Sequence, residues 1–220
     1  MEILGINGSP RGANSMTMKL VEAVLEGAKE AGAETKLIDL CSLKIDYCDA
    51  CGVCYKKGKC VHEDDFGQVY DEIMASEGLV LGSPVYFGLV TAQMKTLIDR
   101  MSDAIHCQLL FGKYACAVST AGSQGHQEVE DYINRIMVAM GANAAGSAGA
   151  DMAVPNGMAE AMEKAFKLGQ TLVADIKNKA VYVEQEEVHK MIKEQFGKIV
   201  DANKDEWTHE YEHWTKMGWL

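Results

Sequence analysis

Hydrophobic residues recur along most of this chain in two alternating patterns: short unbroken apolar runs, and longer stretches with apolar positions three and four apart. Residues 2 to 6 form the first run, which meets the turn-rich NGSPRG before a helical stretch begins. Leu20, Val21, Val24, Leu25 and Ala28 fall on one face of that helix, with Ser15 placed to cap it. A second strand is expected over residues 35 to 40, followed by a cysteine-rich loop. Asp65 is then placed to cap a helix whose Phe66, Val69, Tyr70, Ile73 and Met74 share a face. The run GLVLGSPVYF at 78 to 87 predicts a buried strand ending in a turn, and one helix is expected to carry Met94, Leu97, Ile98, Met101 and Ile105 inward. Residues 113 to 120 predict a fourth strand. Val129, Tyr132, Ile133, Ile136, Met137 and Met140 mark the helix after it, stopped by Gly141. A weaker, Gly- and Ala-rich strand at 143 to 151 and a helix at 158 to 176 complete the series.

Five strands alternating with five helices imply an α/β fold, a doubly wound five-stranded parallel sheet with helices on both faces. Past residue 180 the pattern changes. Val188, Met191, Ile192, Phe196, Ile199 and Val200 make one more amphipathic helix, and all three tryptophans follow in an aromatic tail. The expected organisation is therefore a domain over 1 to 180, carrying the cysteine loop at 48 to 60, and a C-terminal helical extension over 181 to 220. Trp207, Tyr211 and Trp214 form an apolar stripe if the tail is helical. That stripe either covers another subunit or folds back on its own domain.

At 220 residues and 48% hydrophobic content the chain can bury a sizeable core, and no long apolar run or basic leader is present. A cytoplasmic protein without a membrane partner is the expectation. The formal net charge of −11 opposes nucleic-acid binding, which requires a basic stripe. Seven cysteines, an odd number, argue against a disulfide framework.

In open α/β sheets ligands bind where strands end, so the loops after strands one, three and four are where chemistry is expected. GSPRGANSMT, residues 8 to 17, leads into a helix N-terminus that favours an anion. It lacks both the GxxxxGK[ST] nucleotide loop and the GxGxxG dinucleotide fingerprint. The hydroxyls of Ser9, Ser15 and Thr17 and the guanidinium of Arg11 suit a single phosphate monoester. SPVYFG at 83 to 88 places Tyr86 and Phe87 beside Gly88, and STAGSQGHQ at 119 to 127 is small and flexible. Together these loops describe a site for flavin mononucleotide (FMN); the plainer alternative is three tight turns.

GSPRGANSMT followed by GSPVYFGLVTAQMKTLIDR at 82 to 100 strongly resembles the NADPH-dependent FMN reductase family, which has a flavodoxin-like fold. The resemblance covers roughly residues 1 to 175. It implies that Ser9, Arg11, Ser15, Met16 and Thr17 surround the FMN phosphate. Pro84, Val85, Tyr86, Phe87 and Gly88 would line the isoalloxazine ring, with Ser119, Ala121, Gly122 and Ser123 closing its other side. Two positions depart from the family pattern. Met16 stands where the family usually has Asn, and Ala121 with His126 interrupts a loop that is commonly richer in glycine. His126 could serve reduced flavin as a proton donor, or simply face solvent.

CDACGVCYKKGKC places Cys48, Cys51, Cys54 and Cys60 in the spacing C-x2-C-x2-C-x5-C. Such short spacers let one loop wrap a four-iron, four-sulfur cluster, as in the bacterial ferredoxin run. Zinc and free thiols compete, although structural zinc sites usually bring two separated C-x2-C pairs. Within the family, this spacing after the second strand resembles the iron–sulfur flavoproteins. Cys41, Cys107 and Cys116 are expected as buried packing residues. For His209 and His213, four apart, a solvated helix face is the simpler reading than a shared metal, and for Asp64 and Asp65 helix capping is simpler than acid–base work.

The expected function is that of an FMN-dependent oxidoreductase with an iron–sulfur centre, linking a two-electron donor such as NAD(P)H or reduced ferredoxin to a quinone, oxygen species or redox protein. A cluster-free NAD(P)H-dependent flavin or quinone reductase, and an electron carrier without its own substrate, are the alternatives. The resemblance also implies a homodimer or homotetramer. No residue is singled out as catalytic.

Overall fold

The computed structural model describes residues 1 to 220. Five strands, β1 (Glu2–Asn7), β2 (Glu34–Asp39), β3 (Gly78–Pro84), β4 (Tyr114–Ala121) and β5 (Asn143–Asp151), form one sheet in the order β2-β1-β3-β4-β5, every pair parallel. This is the flavodoxin-like order, whose direction reverses between β1 and β3 and leaves a crevice at their carboxyl ends. The helices are α1 (Met16–Glu30), α2 (Val53–Lys57), α3 (Phe66–Ala75), α4 (Ala92–Arg100), α5 (Ser102–Cys107), α6 (His126–Ala139), α7 (Gly157–Asn178), α8 (Val183–Ala202) and α9 (Thr208–Lys216).

Strand side chains alternate between faces, so each strand feeds two cores. Leu4, Ile6, Leu79, Leu81, Ala115 and Ala117 pack under α3, α4 and α6. Their neighbours Ile3, Val80, Cys116 and Val118 pack under α1 and α7. Helices α1 and α7 touch closely because each has a glycine at the crossing. A Cβ on Gly27 would collide with the Phe166 carbonyl, and one on Gly169 with the Val24 carbonyl. Ser15 caps α1 as expected, its Oγ accepting from the Met18 N–H at 3.1 Å.

The structure departs from the sequence expectations in four places. The helix expected through Met94 and Ile105 is two, α4 and α5, joined at Met101 by tightened bonds from Met101 N to the Ile98 carbonyl and from Ala104 N to the Met101 carbonyl. Asp65 does not cap α3. Its carboxylate accepts from the Lys44 N–H at 2.7 Å, while Asp64 accepts from the Phe66 N–H at 3.1 Å. Cys107 and Cys116 are fully buried, but Cys41 is only half-buried, on a short turn after β2. His209 and His213 do not lie on a solvated face: both are half-buried, and His213 Nε2 sits 2.9 Å from the Cys107 carbonyl.

The aromatic tail folds back on its own chain. Trp214 is buried with Cys107 and Val200, and its indole N–H donates to the His106 carbonyl at 3.0 Å. No helix is long and apolar enough to cross a membrane.

Candidate functional site

The parallel sheet brings the ends of β1, β3 and β4 to one rim, and there Ser9, Arg11, Ser15, Met16, Thr17, Pro84, Val85, Tyr86, Ala121 and Gly122 line a single cavity of about 130 Å³. The first loop is fixed from below. Asn7 Oδ1 accepts from the Ser9 N–H at 3.2 Å, Gly8 N–H donates to the Gly82 carbonyl at 2.8 Å, and Thr91 Oγ1 donates to the Gly8 carbonyl at 2.7 Å. Ser15 Oγ accepts from the Met18 N–H in the α1 cap, which fixes the hydroxyl and leaves its O–H as a donor for a ligand. Arg11 is exposed and forms no salt bridge, leaving its guanidinium free at the mouth. A helix N-terminus, a free guanidinium and small residues opposite Tyr86 are the donor set that a phosphate ester carrying a flat ring requires, so these residues could hold FMN.

Four of the sequence-derived residues stand elsewhere. Tyr86 and Leu89 exchange backbone hydrogen bonds of 2.8 and 3.0 Å across a turn in which Phe87 and Gly88 have φ of 50° and 79°. That mirror-image turn holds Phe87 fully exposed, and neither Phe87 nor Gly88 lines the cavity. Ser123 is exposed and also outside it. Ser119 is buried, because its hydroxyl donates to the Ser83 carbonyl at 2.8 Å and ties β4 to β3. Thr120 and Met152 line the cavity instead. The Thr120 and Thr17 hydroxyls share a buried hydrogen bond of 2.6 Å between the first and fourth loops. Thr120 lay within a quoted loop and alternation along β4 could have found it; nothing local marks Met152.

His126 does not face solvent freely. Its Nδ1 lies 2.8 Å from Asp151 Oδ1, and since a carboxylate only accepts, Nδ1 carries the proton. The pair lines a neighbouring recess of about 250 Å³. Behind it Glu130 is fully buried, and burial pushes its carboxyl above the ordinary range.

The cysteine segment is built differently. It lies outside the sheet, turning at Ala50 and Gly52, which take left-handed backbone (φ 58° and 69°). Its base is closed by Arg100, which donates to the Asp46 carbonyl and to Asp64 Oδ2, each at 2.7 Å. The Arg100 and Asp64 side chains are 0% and 1% exposed. Burial opposes charge on Asp64, but the Arg100 hydrogen bond and the N–H groups of Asp46 and Phe66 outweigh it and hold the carboxyl below its usual range. Arg100 also faces Cys60.

The middle of the segment is held by the tail. Tyr55 packs on His106 and Trp207 with ring centroids 4.7 and 4.8 Å away, and its hydroxyl shares a 2.7 Å hydrogen bond with Ser102. The His209 ring covers Gly58, where any Cβ would collide with it. Glu210, fully buried, lies 3.1 Å from His106 Nδ1. Burial, with the Asp103 carboxylate next, pushes the Cys54 thiol up to about 12.

All seven cysteines are free, with Cys48 and Cys51 exposed and Cys54 and Cys60 half-buried. Four thiols match an iron–sulfur cluster in kind and number, but their arrangement here does not: no three His, Cys, Asp or Glu side chains are grouped to share a metal ion. His209 and His213 form no such group either.

Comparison with known proteins agrees with this architecture. The model of the family described as NADPH-dependent FMN reductase matches residues 1–156. An iron–sulfur flavoprotein of Archaeoglobus fulgidus is 32% identical over 228 residues, covering 100% of both chains. One from Methanocaldococcus jannaschii is 37% identical over 133 residues, 59% of this chain and 66% of that one. Among solved structures, a flavodoxin from the domain Archaea superposes with a TM-score of 0.55 at 16% identity, covering 80% of this chain and 99% of that one. The chain belongs to the NADPH-dependent FMN reductase family, in its iron–sulfur flavoprotein branch, and is an FMN-dependent oxidoreductase.

Proposed function

We propose that the strand-end cavity is the FMN site of an enzyme that takes electrons, as a pair from NAD(P)H or singly from reduced ferredoxin, and delivers them to a quinone, an oxygen species or a redox protein. The observation that carries this reading is the convergence of the first, third and fourth loops on one cavity. Ser9, Arg11, Ser15, Met16 and Thr17 take the phosphate, with Arg11 supplying the charge and the first N–H groups of α1 the hydrogen bonds. Pro84, Val85 and Tyr86 lie along the ring, with Phe87 and Gly88 at its exposed edge. Ala121, Gly122 and Ser123 close the other side, and Ser119 acts one layer back by fixing the Ser83 carbonyl. When bound, FMN accepts electrons in pairs and can release them singly.

Cys48, Cys51, Cys54 and Cys60 hold a [4Fe–4S] cluster in the same reading, supported by the ligand spacing and by the names of the iron–sulfur flavoprotein relatives. The separated thiols favour a second reading, a cluster-free reductase. Anaerobic purification, a visible spectrum, and iron, sulfide and zinc analysis separate the two. Iron and sulfide near four each per chain support the cluster; flavin bands without them leave the cluster-free enzyme. Absence of FMN binding sinks both. Steady-state oxidation of NADH against NADPH identifies the donor, and its complete absence with both favours ferredoxin. The protein works as a homodimer or homotetramer in the cytoplasm, and sedimentation of the FMN-loaded chain tests the assembly.

A further inference from the structure

The strand-end cavity is smaller than two adjoining recesses beside the C-terminal extension, of about 600 and 430 Å³, which share Lys190, Lys193 and Trp219. The second, of about 430 Å³, opens at the opposite end of the sheet, lined by Tyr114 and Asn143, the first residues of β4 and β5. The length of β4 separates it from the strand-end cavity by roughly 20 Å. Its walls are aromatic, with Phe111, Tyr182 and Trp219 contributing, and Phe111 is largely exposed. Its charge is anomalous for an acidic chain, since Lys179, Lys190 and Lys193 face it against one carboxylate, Glu186. None of the three lysines lies within 4.0 Å of a carboxylate, although the chain forms such pairs elsewhere through Lys36, Lys95 and Lys167. Lys193 instead sits 3.7 Å over the Trp219 ring, and its burial holds its ammonium below the usual lysine range.

Lys193 is half-buried and Lys179 and Lys190 are exposed at the rim, so three ammonium groups without a carboxylate partner meet at one aromatic recess, a positive surface that an anion would complement. Lysines serve as point charges for carboxylate, sulfonate or phosphate groups, and flat aromatic walls take a planar ring. A recess of several hundred Å³ lined by aromatic side chains, with a few convergent polar groups, is the usual form of a small-molecule site. We propose that this recess binds a planar aromatic anion, its ring against Phe111, Tyr182 and Trp219 and its acidic group on Lys179, Lys190 and Lys193. The ligand occupies the far end of the sheet, so it binds together with FMN and does not compete with it. Trp219 comes from the tail and Tyr182 from the segment joining α7 to α8, so the C-terminal extension supplies part of the pocket wall.

The test uses the full FMN-loaded chain with 15N-labelled tryptophan. Indole N–H resonances are followed while naphthalene-2-sulfonate, 5′-AMP and the neutral 2-naphthol are added separately. The expected result is a saturable shift of Trp219 with a Kd of about 0.1–1 mM for at least one anion, Trp207 unmoved and FMN still bound. The neutral naphthol and the double variant Lys190→Glu, Lys193→Glu should each bind at least roughly tenfold more weakly, as expected when a charge-assisted contact is removed. Circular dichroism and unchanged FMN affinity confirm that the variant is folded. If the sulfonate binds and AMP does not, the natural ligand is an aromatic acid; if AMP binds tighter, it is a nucleotide. No saturable shift with either anion, equal affinity in the double variant, equal binding of the neutral ring, or release of FMN on binding would each overturn the proposal.

Discussion

The strand-end cavity and the cysteine segment sit on one chain but owe their shapes to different physics. The cavity exists because parallel strands must end together, and its loops are anchored on the sheet and on one another: Asn7 holds Ser9, Gly8 bonds to Gly82, and Thr17 bonds to Thr120. The cysteine segment has no strand beneath it. It is held by residues far away in sequence, Arg100 at its base and Tyr55's partners His106 and Trp207 at its middle. A site anchored on the sheet tolerates damage elsewhere, whereas one anchored on peripheral helices and the tail inherits the stability of its clamps.

The sharpest way to break this contrast is Arg100→Met, which leaves Asp64 buried and unpaired. Removing one partner of a buried ion pair costs roughly 3–5 kcal/mol, and urea unfolding should show a loss of that order. Alkylation of Cys60 followed by mass spectrometry should quicken at the same time. The double variant Arg100→Met, Asp64→Leu should recover much of the stability, because apolar replacement of a buried pair is often neutral. A loss below about 1 kcal/mol in the single variant would mean the base of the segment is held by something else.

Next in size is Trp214→Ala. Truncating a buried tryptophan commonly costs 3–5 kcal/mol, and about 3 is expected here because the tail can detach while the sheet stays folded. Alkylation of Cys54 should accelerate, while FMN affinity stays within about twofold, as distant independent sites allow. Equal weakening of both regions would show that the tail supports the whole fold and not the cysteine segment alone.

The same contrast explains what the sequence made legible. The doubly wound order follows from apolar runs alternating with helical faces, and the weakest strand, residues 143 to 151, is present as Asn143–Asp151, where Gly149 lies too close to Glu130 and His126 of α6 for any Cβ. The cavity loops could be named because strand ends are a property of the topology. Phe87 and Ser119 went astray for a finer reason: a left-handed turn swings one ring outward, and alternation along β4 turns one hydroxyl inward. The tail's destination was not legible. An apolar stripe at helical spacing says only that something must cover it, and the partners, His106 and Tyr55, lie roughly 100 and 150 residues upstream. Asp64 does accept from the first N–H of α3, as a cap should, but its second role is hidden from local sequence because its buried partner Arg100 is 36 residues away.

A smaller effect should separate the regions in the other direction. Arg11→Ala removes the free guanidinium at the cavity mouth, and loss of a charge-assisted phosphate contact costs about 1.5–3 kcal/mol, roughly ten- to a hundredfold in FMN Kd. Flavin fluorescence titration measures it. Cysteine alkylation rates should not change, and Arg11→Lys should restore only part of the affinity, since lysine keeps the charge without the planar fork. Unaltered FMN affinity in Arg11→Ala would remove the charge argument from the cavity.

The smallest expected effect uses pH, and its sign differs between the two regions. Burial raises the carboxyl of Glu130, near the cavity, so wild-type stability is fully present below the ordinary glutamic acid value of about 4.3 and is lost as pH rises through the raised folded value. Glu130→Gln removes that loss. Its stability relative to wild type should therefore climb with pH from about 4 upward, within about 1 kcal/mol, a common size for a single substitution. Asp64, beneath the cysteine segment, has the opposite shift, so its contribution is present above about 3.9 and disappears as pH falls through the lowered folded value. Asp64→Asn should accordingly lose its disadvantage in acid, while Glu130→Gln loses its advantage there. Parallel urea titrations from about pH 3 to 8 read both slopes. If the two difference curves run parallel, the buried carboxyls do not distinguish the regions, and the contrast rests on the clamps alone.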